Sequence, residues 1–165
     1  MDDENNGLMR ATPEWIAEKY DEMNQKLFGG KLGQCDFDIF RTWKGSQGGY
    51  LGKFHIANRS VRCNRNNGRM FVNTFLGKTF IDKDNFYMIA KPSIMLNGNY
   101  SGTEDSLLDV LVHEMCHYYT YMNGYCPQQA HGREFRLIAS IISARSGGRV
   151  SVQRVASADT MKGYN

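Results

Sequence analysis

Residues 103–122 read TEDSLLDVLVHEMCHYYTYM, and the fold turns on this stretch. Thr103 is a hydroxyl N-cap, and Glu104 and Asp105 put negative charge at the positive end of the helix that follows. Inside it, His113, Glu114, Met115, Cys116 and His117 spell HExxH. Four residues of α-helix turn about 400°, so His113 and His117 project within about 40° of each other. At ~100° per residue, Leu108, Leu111, Val112, Met115, Tyr119 and Met122 fall about 160–260° from His113. The apolar stripe therefore lies nearly opposite the two histidines. A histidine kept only to fill the core is expected on that stripe, and these two are not.

Two imidazole nitrogens so placed can bind one zinc ion at ~2.0–2.1 Å. Glu114, about 100° round the helix, can reach a water on that ion without ligating it and act as general base. With the chain's composition, an HExxH match arises by chance about 0.4% of the time. Catalytic zinc usually takes three protein ligands and leaves one position for water. The chain has four histidines in all, so the choice for the third is His131 or His55. His55 lies in an expected strand with no local partner. His131 follows a turn at Gly124 and Pro127 that folds the chain back, and Gly132 beside it permits close backbone approach. His131 is the expected third ligand. Glu134 competes for that place, as in His₂Glu sites, or is a candidate to orient a histidine from behind, as is Asp109 one turn before His113. Cys116 either ligates or serves as a small buried filler. Tyr118, Tyr119, Tyr121 and Tyr125 are candidates for an oxyanion donor.

Outward from this helix, the rest reads as one α+β domain. His131 to Ser146 is a second helix with Phe135, Ile138, Ile141 and Ile142 on one stripe, stopped by Gly147 and Gly148. Upstream, Thr12-Pro13-Glu14 starts a helix carrying Ile16, Tyr20, Met23 and Leu27, and Gly29-Gly30 ends it. Cys35, Phe37 and Ile39 alternate with polar residues as in a half-buried strand. Residues 47–62 read as a strand or hairpin, with Tyr50, Phe54 and Ile56 on one face. Asn64 to Gly68 is a turn, and Phe71–Phe75 and Ser93–Leu96 are further strands. The expected organisation is a flexible N-terminus over 1–11, the domain over 12–146, and a short strand or tail over 147–165.

Composition is that of a globule: 165 residues, 41% hydrophobic and 22% charged, with three prolines. A chain this long buries about 68–70% of its extended surface, enough for a sizeable core. No stretch approaches the ~20 apolar residues that cross a bilayer, so no membrane partner is expected. The opening MDDENNGLMR is acidic and lacks a secretory apolar segment, and the expected location is the cytoplasm. There the four cysteines, with no CxxC pair, are expected as free thiols. Net charge is +3 but unevenly spread: residues 41–91 carry ten basic residues against Asp82 and Asp84. That +8 segment, with Arg59, Arg62, Arg65 and Arg69, can attract nucleic-acid phosphates or can form solvated strand edges.

HEMCHYYTY (113–121), a turn, and HGREF (131–135) resemble the SprT-like zinc metalloprotease family, which includes the Spartan-related proteases, and WIAEKYDEMNQKLFGGKL (15–32) is similar to its first helix. The likeness runs over residues 12–146, dense at 104–140 and thin at 41–91. It implies a small zincin-like fold: an N-terminal helix, a short, mostly antiparallel sheet, an active-site helix and a following ligand-bearing helix. It also implies one Zn²⁺ held by His113, His117 and His131, with Glu114 as the catalytic acid and base. Spartan-type members cut proteins crosslinked to DNA and depend on DNA. Many members add a C-terminal zinc ribbon; no cysteine follows Cys126 here, so that module is expected to be absent.

The leading expectation is a zinc endopeptidase acting on a protein substrate, with DNA contacted through residues 41–91. A second reading is a nucleic-acid-binding or scaffold protein with a structural zinc, closed by a fourth protein ligand such as Cys116. A third is a peptidase that works without DNA.

Overall fold

The computed structural model describes residues 7–41, 51–57, 61–62, 71–74, 77–80, 82–123 and 131–152, of which 61–62, 71–74, 78 and 79 are described by backbone alone. In chain order the elements are α1 (Pro13–Leu27), β1 (Asp36–Phe40), β2 (Gly52–Ile56), β3 (Val61–Arg62), β4 (Phe71–Thr74), β5 (Gly77–Phe80), α2 (Lys83–Ala90), β6 (Pro92–Asn97), α3 (Glu104–Met122) and α4 (Arg133–Arg145).

α1 begins as its sequence dictates. Thr12 Oγ1 accepts the Trp15 N–H at 3.1 Å, and Pro13 occupies the first helical position, where a missing N–H costs nothing. Ile16, Tyr20, Met23 and Leu27 are buried along one stripe. Gly29 and Gly30, at φ +62° and +70°, supply the left-handed backbone that ends the helix.

The main sheet runs β1-β6-β2. β6 is central, antiparallel to β2 and parallel to β1. A smaller sheet, β3-β4-β5, is antiparallel throughout, so one of the four described pairings is parallel. On β2, alternation turns Phe54 inward to stack on Tyr118 of α3, while Lys53 turns to the far face, its ammonium 4.7 Å from the Phe40 ring centre. The expected face of Phe54 and Ile56 is therefore present; Tyr50 lies outside the described residues.

Two elements have no counterpart among the sequence expectations, α2 and β5. α2 has a clear cap: Asp82 accepts from the N–H groups of Asp84 and Asn85. It spans eight residues and buries only Phe86 and Ala90, too little for a helical period to register. β5 is four residues long and starts at Gly77.

α3 is the spine, against which α1, β2, β6 and α4 all pack. Tyr118, Phe28, Phe86, Phe135, Ile16 and Met23 are among the largest fully buried side chains around it. Each such residue contributes about 1.5–3 kcal/mol of transfer free energy. Described residues on both sides of the domain are tied down near α3. Met9 exchanges backbone hydrogen bonds with Gly102 at 2.8 and 3.0 Å. Val150 is buried, and Ser151 donates its N–H to Asp109 at 2.8 Å. No described helix is long and apolar enough to cross a membrane.

Candidate metal centre

α3 forms from Glu104 to Met122 with Thr103 as its cap, accepting the Ser106 N–H at 3.1 Å. His113 and His117 sit one turn apart on it, ring centres 4.9 Å from each other. Burial around the helix does not follow the apolar stripe alone. His113 and Glu114 are as buried as Leu108 and Leu111, while Tyr119 and Met122 are half-buried. A wheel describes one helix alone; here α4 covers the histidine side and β2 covers Glu114.

His131 is two residues before α4, and Gly132 is the N-cap of that helix. The turn of the chain at 131–132 aims the imidazole back at α3. The His131 ring centre is 5.0 Å from that of His113 and 5.0 Å from that of His117, closing a nearly equilateral triangle. One nitrogen from each ring lies within 4.8 Å of the others, and His113 Nε2 and His131 Nε2 are 3.1 Å apart. Two nitrogens bound tetrahedrally to one ion at ~2.0–2.1 Å would be about 3.3 Å apart. The His113–His131 pair is already close to that spacing, so the cluster could hold a divalent cation, and its all-nitrogen donor set is compatible with zinc. Glu134 is not part of this cluster among the described residues; it lies in the first turn of α4.

Glu114 is fully buried, and neither carboxylate oxygen has a hydrogen-bond partner among the described residues. Burial holds its carboxyl well above the usual carboxylate range. Room for it comes from Gly52. A Cβ at that position would lie 3.1 Å from Glu114 Oε2 and 2.8 Å from Val110 Cγ1. In the sequence, residues 47–62 read only as a strand or hairpin, and nothing local announces a close approach to Gly52 from a distant helix.

The other candidates have plainer surroundings. Asp109 accepts the Ser151 N–H, and burial pushes its carboxyl up to about 6. Cys116 is a free, fully buried thiol whose pKa burial raises, which matches the filler role. Tyr118 donates to the Gln34 carbonyl at 2.9 Å, and Tyr119 packs on Phe28. Tyr121 packs against Phe54 and Phe86. His55 is exposed on β2, in register with Ser93. Tyr125, Arg59, Arg65 and Arg69 lie outside the described residues, and Arg62 is described by its backbone in β3.

Neither the curated proteins nor the solved structures yield a significant match to this chain. A family model does match, and it spans the first helix, the sheet, the HExxH helix and the helix behind His131, from residue 16 to residue 156. Covering most of the sequence, that match shows that this chain belongs to the SprT-like family.

Proposed function

We propose that this chain is a zinc-dependent endopeptidase in which His113, His117 and His131 hold the metal and Glu114 moves the proton. Membership of the SprT-like family points to a metallopeptidase-like function, and three converging histidines are compatible with a bound metal ion. The observation that carries the finer reading is the pairing of that cluster with a buried carboxylate on the same helix, its oxygens not engaged by other described groups. A carboxylate kept only for stability would be paired, because burying it alone costs several kcal/mol.

Zinc held by His113, His117 and His131 would supply a Lewis acid and would bring the pKa of water down toward ~7. Glu114 then takes a proton from the attacking water on one carboxylate oxygen. It returns that proton to the amide nitrogen as the peptide bond breaks. Its buried setting favours the protonated state it must visit between the two transfers. His113, buried beside it, keeps bulk water from that side of the site.

We extend the reading to protein substrates associated with or crosslinked to DNA, on the charge of residues 41–91. The test is zinc content together with casein and histone cleavage, with and without single-stranded DNA, for wild type and Glu114→Gln. Glu114→Gln should retain zinc and lose cleavage by about 10²–10⁴-fold. Cleavage at the wild-type rate by that variant ends the general-base assignment. Zinc retained without any proteolysis in wild type favours a structural zinc in a binding protein. Cleavage indifferent to DNA removes the DNA-associated substrate and leaves the peptidase.

A further inference from the structure

We propose that Phe135 is the positioning residue of the metal centre: a single ring that touches all three imidazoles and sets the planes in which they meet the ion. The proposal rests on the zinc reading above.

Phe135 is fully buried, on the first turn of α4. Its ring stacks on His117, with centres 4.4 Å apart and planes at 28°. It is tilted against His113, 5.0 Å and 59°, and meets His131 nearly edge-on, 5.1 Å and 73°. No other described aromatic ring touches all three.

Helical spacing fixes where the Cβ atoms of His113 and His117 lie, but not how their rings are turned. The last torsion of a histidine is broad and roughly two-fold, so each ring can present either nitrogen or neither. Three rings must be turned correctly at once for three nitrogens to converge. Phe135 restricts all three together. Its flat face limits His117, and its steeply inclined contacts limit His113 and His131. It offers no donor or acceptor, so it leaves the imidazole nitrogens to the ion. One short stretch of chain delivers both a ligand, His131, and the template against which the ligands are turned. Helical spacing puts Phe135 on the apolar stripe of α4, and burial alone would leave it there. The three ring contacts distinguish it from Ile138 and Ile142, which fill the same interface.

The test compares Phe135→Leu and Phe135→Met, which keep an apolar side chain but lose the flat ring, with Ile138→Ala as a packing control on the same helix. Zinc affinity, the visible spectrum of the Co²⁺-loaded protein and the Tm of the chelated protein are measured for each. Both Phe135 variants should bind zinc about 10–100-fold more weakly and show an altered Co²⁺ spectrum, the size of effect seen when the groups that orient metal ligands are lost. Ile138→Ala should lower the Tm of the chelated protein and leave zinc affinity and spectrum near wild type. Zinc affinity within about 3-fold of wild type in Phe135→Leu or Phe135→Met, with an unchanged spectrum, overturns the proposal. So does an equal loss of zinc affinity in Ile138→Ala, which would make the effect one of packing. If neither chelated Phe135 variant folds, Phe135 is a core residue and the positioning role falls. Failure of wild type itself to bind zinc takes down the zinc reading and this proposal together, and is told apart because it appears before any substitution.

Discussion

Gly52 of β2 and Glu114 of α3 meet across a gap that no larger residue fits: a methyl group at 52 would stand 3.1 Å from Glu114 Oε2 and 2.8 Å from Val110 Cγ1. The strand thus forms one wall of the slot holding the buried carboxylate. Gly52→Ala should cost about 1–3 kcal/mol by overpacking. It should also push Glu114 out of place, lowering kcat at least about 10-fold with zinc still bound. Thermal unfolding and steady-state cleavage check both. Full activity at the wild-type Tm would show that β2 does not set the position of the carboxylate.

Glu114 also limits stability. Burial raises its folded pKa well above the unfolded value, so its contribution to stability is greatest below the unfolded pKa of about 4.5 and is lost as pH rises through the folded value. Glu114→Gln, which removes the buried charge, should raise the Tm of the chelated protein at pH 7.5 by at least about 3 °C and change it little near pH 4. A Tm unchanged at both pH values would place the carboxylate in a far better solvated setting than its burial implies.

Asp109 carries a milder form of the same imbalance. Burial raises its carboxyl to about 6, with Asp105 adding to the rise and the Ser151 N–H opposing it. The stability it contributes is present below about 3.8 and is lost as pH climbs through about 6. Asp109→Asn keeps an acceptor for Ser151 and removes the charge. The expected gain at pH 7.5 is about 1 kcal/mol after allowance for solvent screening, vanishing near pH 4. Denaturant unfolding at the two pH values measures it. A loss at pH 7.5 would mean that the ionised carboxylate holds the C-terminal segment.

Zinc should stabilise the fold wherever the three histidines converge only in the native state. At a hundredfold excess over Kd the gain is about 2.7 kcal/mol, or about 5–10 °C in Tm for a chain of this size. His131→Ala should abolish that rise and leave the Tm of the chelated protein near wild type, since His131 is only half-buried and precedes α4. A zinc-induced rise that survives in His131→Ala would return Glu134 to consideration as ligand.

The features carried by local rules are legible in the chain's residues alone. Thr12-Pro13 and Thr103 cap their helices because hydroxyl side chains satisfy backbone donors wherever helices start. Gly29 and Gly30 stop α1 because they accept left-handed backbone. The i, i+4 spacing alone places His113 and His117 together, and the family resemblance adds His131 with its HGREF context. What the sequence hides depends on neighbours distant in the chain. α2 is too short for a period. Ile141, expected on the apolar stripe of α4, is 44% exposed, and Ala139 is buried there with Phe135, Ile138 and Ile142.

The linear chain by itself determined which helix holds HExxH, where the helices begin and end, and that this helix presents two imidazoles one turn apart. Only the tertiary structure decided that His113 is fully buried, that Gly52 makes room for Glu114, that the His131 ring closes on those of His113 and His117, and that Phe135 touches all three rings. The reason is the range of the forces: capping and helical spacing act within a turn, whereas burial and ring contact arise only where α3, α4 and β2 close on one another.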